Sequence, residues 1–224
     1  MIKNISNLGD AALYCDFGSE VNKSVNSNVI RYFNSIKDQN ISGIVNLTPS
    51  YNKLIISYDL SITNFKKIKE LIENIKFSEN QKMINKKIEI PVCFDETFSL
   101  DMKRLEEKLE FHRDKILENF LNREFFCYMT GFIAGMPFLG DLDKNMRVNR
   151  LENPRVKVPK GSVALTEQFA NIYTSESPGG WNIIGNTPLE VFDKTKEEAP
   201  NLINPGDTVI FKEITLEEYN NYNG

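Results

Sequence analysis

Three arginines, Arg147, Arg150 and Arg155, cluster in a proline-containing stretch just ahead of the segment VPKGSV. A guanidinium group is permanently charged and binds a carboxylate or a phosphate through two parallel hydrogen bonds. The cluster therefore indicates a site for an acidic substrate or for the phosphate of a nucleotide. For any one of the three, the alternative is a solvated loop arginine that binds nothing.

Two other features could take part in the same chemistry. Backbone N–H groups of the glycine turn at Gly179–Trp181 could form a nest for an anion, although the turn could equally serve to pack Trp181 into the fold. Asp141 and Asp143, in the segment GDLD, could help to hold a magnesium-bound nucleotide. Capping of a turn is the more frequent use of such aspartates.

Several common catalytic and metal-binding patterns are absent from the sequence. The only histidine, His112, lies in a charged helical stretch, and the segment around Ser162 lacks the G-x-S-x-G pattern of a nucleophile. Neither a Walker A motif nor a G-x-G-x-x-G turn occurs. The cysteines Cys15, Cys93 and Cys127 are odd in number and widely spaced, so we predict that they are reduced packing residues.

Composition narrows the class of protein further. The chain has 224 residues and a formal net charge of −4, with no basic tract that would indicate binding to nucleic acid. No apolar run is long enough to cross a membrane, and the first residues lack the apolar region of a signal peptide. We therefore predict a cytoplasmic protein with no membrane partner.

The elements that must position these residues fall into two groups, and the first group alternates strands with helices. Alternating and helical apolar spacings predict a strand at residues 11–17, a helix at 21–39, strands at 43–47 and 53–58, a helix at 65–75 and a strand at 87–94. Ser61 or Thr63 would cap the second helix. The order βαββαβ predicts a ferredoxin-like α/β domain over residues 1–95.

The second group, residues 96–224, is predicted to be a helical connector followed by β structure. Residues 99–122 have helical spacing with a break near Phe111 and His112. Short apolar runs bounded by turns then predict strands at 125–130, 162–166, 171–174, 181–184, 189–192 and 207–211. The glycines and prolines of residues 131–193 predict tight turns between them, so the fold class is α+β.

The turn-rich stretch resembles the family that contains the B subunit of 5-oxoprolinase, allophanate hydrolase subunit 1 and the sporulation-kinase inhibitors, of the carboxyltransferase subdomain C and D type. The matching segments are Gly131-Phe132, Gly135, Leu139-Gly140, Leu142-Asp143, Pro154-Arg155, Val158-Pro159, Gly161-Ser162-Val163, Ile172-Tyr173, Ser177-Pro178-Gly179-Gly180-Trp181, Ile184-Gly185, Thr187-Pro188-Leu189 and Phe192-Asp193. The segments LGDAALYCDFG, PSYNKLIISYD and PGD also fit, so the resemblance covers nearly the whole chain.

The resemblance implies a cyclophilin-like β-barrel in the C-terminal half. It implies one component of an ATP-dependent 5-oxoprolinase that converts 5-oxo-L-proline, an acidic lactam, to L-glutamate, with A-type and C-type partner subunits and with ATP and Mg²⁺. Arg150 and Arg155 match family arginines and are the candidate catalytic residues, and Asp141 or Asp143 would hold the metal. The candidate residues for binding substrate or nucleotide are Gly131, Phe132, Gly135, Ser177, Pro178, Gly179, Gly180 and Trp181.

This chain departs from the family pattern mainly at polar and glycine positions. Phe120 replaces a family histidine, and Asn186 replaces a family arginine. Ala134, Met136 and Phe138 stand at the family's proline, phenylalanine and tyrosine positions. Residues Glu167 to Asn171 replace the family's G-G-Q-T-G, so that Phe169, Ala170 and Asn171 stand in place of Q-T-G. Loss of such groups favours an alternative function, a non-catalytic regulatory binding protein like the kinase inhibitors. A third alternative is one component of an allophanate or urea-derivative hydrolase or of a carboxyltransferase.

Overall fold

The computed structural model describes residues 1–75, 77 and 85–222 and divides the chain into two units, Met1–Ile84 and Asn85–Gly224. The first unit contains strands β1 (Asn4–Asn7), β2 (Ala12–Asp16), β3 (Ile44–Pro49) and β4 (Lys53–Tyr58), with helices α1 (Lys23–Asp38) and α2 (Phe65–Glu73). The strands form one antiparallel sheet in the order β1-β2-β4-β3.

The core of this first unit follows from the alternation that the sequence shows. Alternate residues of β2 and β4 are buried, and they pack against the apolar side of both helices. Asn22 caps α1 through its side chain, and Asn64 caps α2 by accepting a hydrogen bond from the Lys67 N–H at 3.1 Å. The prediction of Ser61 or Thr63 as the cap of α2 was therefore wrong, because the residue next along the chain carries the acceptor.

The predicted order βαββαβ needs two corrections. The described elements of the first unit follow the order ββαββα, because β1 was missed and because the strand predicted at residues 87–94 belongs to the second unit. β1 pairs with β2 at the sheet edge, and its four residues alternate too briefly to give a sequence signal. The units divide after Ile84, and not at residue 95.

The second unit is built on a closed seven-stranded barrel, which confirms the prediction of an α+β chain with a C-terminal β-barrel. Its strands are β5 (Lys87–Cys93), β6 (Glu124–Thr130), β7 (Pro137–Gly140), β9 (Ser162–Thr166), β10 (Phe169–Ile172), β12 (Asn182–Asn186) and β13 (Thr208–Ile214), in the order β10-β7-β6-β13-β5-β12-β9. β5 runs parallel to β13 over seven residue pairs and also borders β12, so both of its edges are paired.

The described residues of the second unit also form three helices, one 3₁₀ turn and a two-stranded ribbon. Helices α3 (Met102–Leu109) and α4 (Arg113–Leu121) flank the predicted break, helix α5 (Leu216–Asn220) follows β13, and the 3₁₀ turn spans Lys144–Met146. The ribbon pairs β8 (Arg155–Val158) with β11 (Ser177–Gly179). In the described part of the chain, no helix has the length and apolar character needed to cross a bilayer.

The strand predictions for the second unit were partly right. β6, β9, β12 and β13 overlap predicted strands, and β10 lies two residues earlier than predicted. Residues 189–192 form no strand, and Phe192 makes only an isolated bridge to Asn201. The strands β7, β8 and β11 were missed, because they lie in the stretch where glycine and proline predict turns.

Candidate functional site

The ribbon of β8 and β11 places Arg155 opposite Gly179. Arg155 pairs with Asp101, with 2.7 Å between Nη2 and Oδ1, and the side chains are 28% and 6% exposed. The other oxygen of Asp101 accepts a hydrogen bond from the Ile183 N–H at 2.7 Å. The charge of Arg155 is thus largely neutralised by a buried carboxylate that also ties β12 to α3, which is typical of a structural ion pair.

Arg150 is in a different situation. Its guanidinium lies against Gly180, where an added methyl group would stand 3.1 Å from Nη2 and 3.2 Å from Nε. The following residue, Leu151, donates its N–H to the Gly180 carbonyl at 2.6 Å, which fixes the loop beside the glycine turn. Arg150 is exposed and forms no ion pair with a carboxylate of the described residues. It can therefore bind an external anion.

The two arginines have a common neighbour in the buried phenol of Tyr173. Burial raises the pKa of Tyr173, and the Asn171 side chain, the Trp181 backbone and the positive charges of Arg150 and Arg155 partly oppose that shift. The Tyr173 hydroxyl packs against Gly179, where a methyl group would stand only 2.2 Å from it. The structure therefore places both arginines near the glycine turn.

An open cleft beside the glycine turn, here called the basic cleft, is lined by Arg150 and not by Arg155. The cleft has a volume of about 940 Å³, and its charged lining residues are Arg104, Lys108, Arg147, Arg150 and Glu152. Arg147 was part of the predicted cluster, whereas Arg104 and Lys108 were missed. They lie four residues apart on α3, and their sequence context is that of an ordinary charged helix face.

Buried polar atoms without partners among the described residues occur on β8, β10 and β11. The Asn171 side chain is fully buried, and neither of its amide atoms completes a hydrogen bond of normal length and angle, although it lies near the Tyr173 hydroxyl. Arg155 Nη1 and Ser177 Oγ are also buried and unpartnered among the described residues. Such atoms are uncommon in folded proteins, and they often mark functional regions.

Of the remaining residues of the Ser177–Trp181 segment, Trp181 has a packing role in this structure. Pro178 is exposed, and Trp181 packs edge-to-face on Phe138 with ring centroids 5.5 Å apart. The Trp181 side chain thus contributes to an apolar cluster with Met136 and Tyr173. The role of this segment in binding substrate or nucleotide stays a prediction.

The turn between β6 and β7 holds the other predicted binding residues. Gly131 donates to the Met136 carbonyl at 3.0 Å, which closes the turn. Gly135 has φ +70° and packs on Phe192, where a methyl group would stand 2.4 Å from the ring, so only glycine fits. Phe132 is 69% exposed at φ +71°. None of these three residues lines the basic cleft.

Asp141 and Asp143, the predicted magnesium ligands, each have a partner within the protein. Asp141 Oδ2 accepts a hydrogen bond from the Tyr128 hydroxyl at 2.8 Å, and Asp143 pairs with Arg123. Burial and the Asp141 carboxylate raise the pKa of Tyr128, so the phenol remains protonated as the donor. Among the described residues, no group of three or more His, Cys, Asp or Glu side chains could hold a metal ion. The role of Asp141 or Asp143 in holding Mg²⁺ stays a prediction.

Phe120 and Asn186, two of the residues that depart from the family pattern, make contacts within the second unit. Phe120 is fully buried and contacts the rings of Phe94, Phe125 and Phe211, with its ring stacked 4.8 Å from that of Phe211. Asn186 accepts a hydrogen bond from the Tyr219 hydroxyl at 2.8 Å.

The histidine and the cysteines have no catalytic surroundings among the residues that the structure describes. His112 precedes α4 and makes no side-chain cap, and all three cysteines are free and buried.

Comparisons with known proteins identify the family of this chain. The sequence profile described as carboxyltransferase domain, subdomain C and D, matches residues 3–203. The chain is 31% identical over 230 residues to the B subunit of 5-oxoprolinase from Bacillus subtilis. This alignment covers 97% of this chain and 95% of the relative. It is 24% identical over 241 residues to urea amidolyase of Saccharomyces cerevisiae, covering 94% of this chain and 13% of the relative.

A solved structure agrees with the sequence comparisons. The structure of TTHA0988 matches with a TM-score of 0.82 and 26% identity, covering 92% of this chain and 40% of that chain. The match to the family profile extends over both structural units, because residues 3–203 include the N-terminal sheet and most of the barrel. The chain therefore belongs to the carboxyltransferase domain family, subdomain C and D.

Proposed function

We propose that this chain is the B-type component of an ATP-dependent 5-oxoprolinase, which hydrolyses 5-oxo-L-proline to L-glutamate together with A-type and C-type partner subunits. The observation that carries the proposal is the nearly end-to-end similarity to the B subunit of the Bacillus subtilis 5-oxoprolinase. We place the requirement for ATP and Mg²⁺ on the assembled complex, in the cytoplasm.

In this proposal, Arg150 binds the carboxylate of the acidic lactam. Its guanidinium is exposed beside the Gly180 turn and is not neutralised by a carboxylate of the described residues, so it can form two parallel hydrogen bonds with a substrate carboxylate. Arg155 has a positioning role, because its pair with Asp101 holds β8 to the start of α3.

The chemistry that the complex must perform explains why an anion site matters. A lactam is a poor electrophile, and transfer of the γ-phosphoryl group of ATP to its carbonyl oxygen makes the ring carbon open to attack by water. Ring opening and release of phosphate then give glutamate, ADP and inorganic phosphate. A fixed cation on the substrate carboxylate keeps the ring in one orientation through both steps.

The test is to co-express the chain with the A-type and C-type proteins of the same genome and to follow glutamate release from 5-oxoproline. We expect release that depends on ATP, and we expect Arg150→Gln to lower kcat/KM about 10- to 100-fold, because one charge-assisted interaction contributes about 1.5–3 kcal/mol. Lys157→Gln is the matched control, because it removes an exposed cation that pairs with Glu176.

The outcomes separate the candidate functions. A folded three-protein complex that releases no glutamate would overturn the proposal. Hydrolysis of a urea derivative by that complex would instead favour the allophanate-type alternative, which the similarity to urea amidolyase supports. Capture of a histidine kinase in place of the two partner proteins would favour a regulatory protein, an alternative that the buried Phe120 at a family histidine position supports.

A further inference from the structure

The basic cleft holds more positive charge than a substrate with one carboxylate can neutralise. Arg104, Lys108, Arg147 and Arg150 line it, with Glu152 as the one carboxylate among its lining residues. None of the four cations forms an ion pair with a carboxylate anywhere in the described ranges 1–75, 77 and 85–222. The cleft therefore keeps a net charge of about +3 when its acidic and basic groups are ionised.

Two of the arginines are held in place by neutral oxygen atoms. Arg104 donates from Nη1 to the side-chain oxygen of Asn182, and the amide of Asn182 donates to the carbonyls of Asn149 and Leu165 at 3.2 and 3.0 Å. Arg147 donates from Nε to the Leu142 carbonyl at 3.2 Å. These contacts orient the guanidinium groups and leave their charge available to a ligand.

The arrangement of the cations matches a ligand with several negative charges. Arg104 and Lys108 share one face of α3, and Arg147 and Arg150 of the loop before β8 line the same cleft. Cations that converge on one concave surface repel one another and attract a multivalent anion. The volume of about 940 Å³ is within the range of small-molecule sites.

We propose that this cleft binds the phosphate groups of a phosphorylated small molecule through Arg104, Lys108 and Arg147, next to the Arg150 that the proposed function assigns to the lactam carboxylate. The inference rests on the proposed function only for the identity of ATP as the natural ligand. The binding itself is a property of this chain. A small molecule is favoured over nucleic acid, because the basic groups are confined to one cleft of a chain whose net charge is −4.

The experiment is calorimetric titration of the whole chain with ATP, with inorganic triphosphate, with adenosine and with 5-oxoproline at low salt. We expect ATP and triphosphate to bind with similar affinity, adenosine not to bind, and 5-oxoproline to bind more weakly than triphosphate. Affinity for triphosphate should fall as the NaCl concentration rises, because salt screens exposed charges.

The variant Lys108→Gln/Arg147→Gln should weaken triphosphate binding by about tenfold for each cation removed. Lys212→Gln is the matched control, because it removes a cation of β13 that pairs with Glu89, and it should bind like the wild type. A circular dichroism spectrum of each variant checks that its fold is unchanged.

Three results would overturn the inference: failure of triphosphate to bind, equal binding by the double variant and the wild type, or tighter binding of a single-stranded oligonucleotide than of ATP. The activity assay distinguishes this failure from that of the proposed function. A complex that releases glutamate while the double variant keeps the wild-type KM for ATP would support the function and refute the role of the cleft.

Discussion

At the scale of single residues, the adjacent glycines Gly179 and Gly180 serve different purposes. Gly179 permits the hydroxyl of the buried Tyr173 to approach the backbone, whereas Gly180 provides the surface on which the exposed Arg150 guanidinium lies. The sequence predicts a turn at both positions and does not distinguish them. The difference arises from neighbours that are distant in the chain, and it separates a packing role from a binding role.

We expect Gly179→Ala to lower the free energy of unfolding by about 2 kcal/mol, because its methyl group would overlap the buried phenol 2.2 Å away. Gly180→Ala should change stability by less than about 0.5 kcal/mol, because the end of an exposed arginine side chain can move aside. Urea denaturation of both variants measures the difference. An equal loss of stability would show that Arg150 is held as firmly as Tyr173.

At the scale of helices and strands, the elements with a regular apolar pattern were predicted correctly, and those without one were missed. β4 and β9 were predicted with the observed bounds, and the break between α3 and α4 lies where the sequence placed it. β8 and β11 have too few residues to show a period, and proline and glycine dominate β11. Such strands exist because a partner strand pairs with them, which a local pattern cannot reveal.

The candidate site was predictable only in part for the same reason. Arg150 and Gly180 were identified from residue type and from the resemblance, and the structure places them in contact. Asp101 and Arg104 were missed, because only the folded barrel brings α3 next to β12. Nothing in the local sequence distinguishes a helix cation that lines a cleft from one that faces solvent.

One cross-strand ion pair in the N-terminal sheet makes a prediction about pH. Asp16 of β2 lies opposite Lys53 of β4, with 2.7 Å between Oδ1 and Nζ, and it also accepts the Gly18 N–H at 2.7 Å. The hydrogen bond from Lys53 and then that from Gly18 lower the pKa of Asp16. Because the folded pKa is below the unfolded one, this contribution to stability is present above the unfolded pKa.

We therefore expect the Asp16 contribution to decline as the pH falls from about 5 through the lowered pKa of the folded state. Asp16→Asn should remove that part, so its free energy of unfolding should depend less steeply on pH in this range. Urea denaturation followed by circular dichroism at several pH values gives the slope. Asp10→Asn is the control, because Asp10 is exposed, and an unchanged slope in Asp16→Asn would contradict the prediction.

At the scale of the whole molecule, the boundary between the two units depends on which unit contains β5. Its alternating pattern suits an edge of the N-terminal sheet as well as the barrel, so the sequence alone assigned it to residues 1–95. In the structure, Ile90, Val92 and Phe94 are buried in the core of the second unit, and β5 pairs with β13 from near the end of the chain. A pairing between such distant segments has no local signature.

The boundary can be tested with two fragments of the chain. Residues 85–224 should fold into a cooperative barrel, whereas residues 96–224 should not, because without β5 the edges of β12 and β13 are unpaired and the core lacks Ile90, Val92 and Phe94. Circular dichroism and thermal unfolding of both fragments measure this, and adding a peptide of residues 85–95 to the shorter one should restore structure. Equally cooperative unfolding of the two fragments would show that β5 is not needed to close the barrel, and the division at residue 95 would then be the better description.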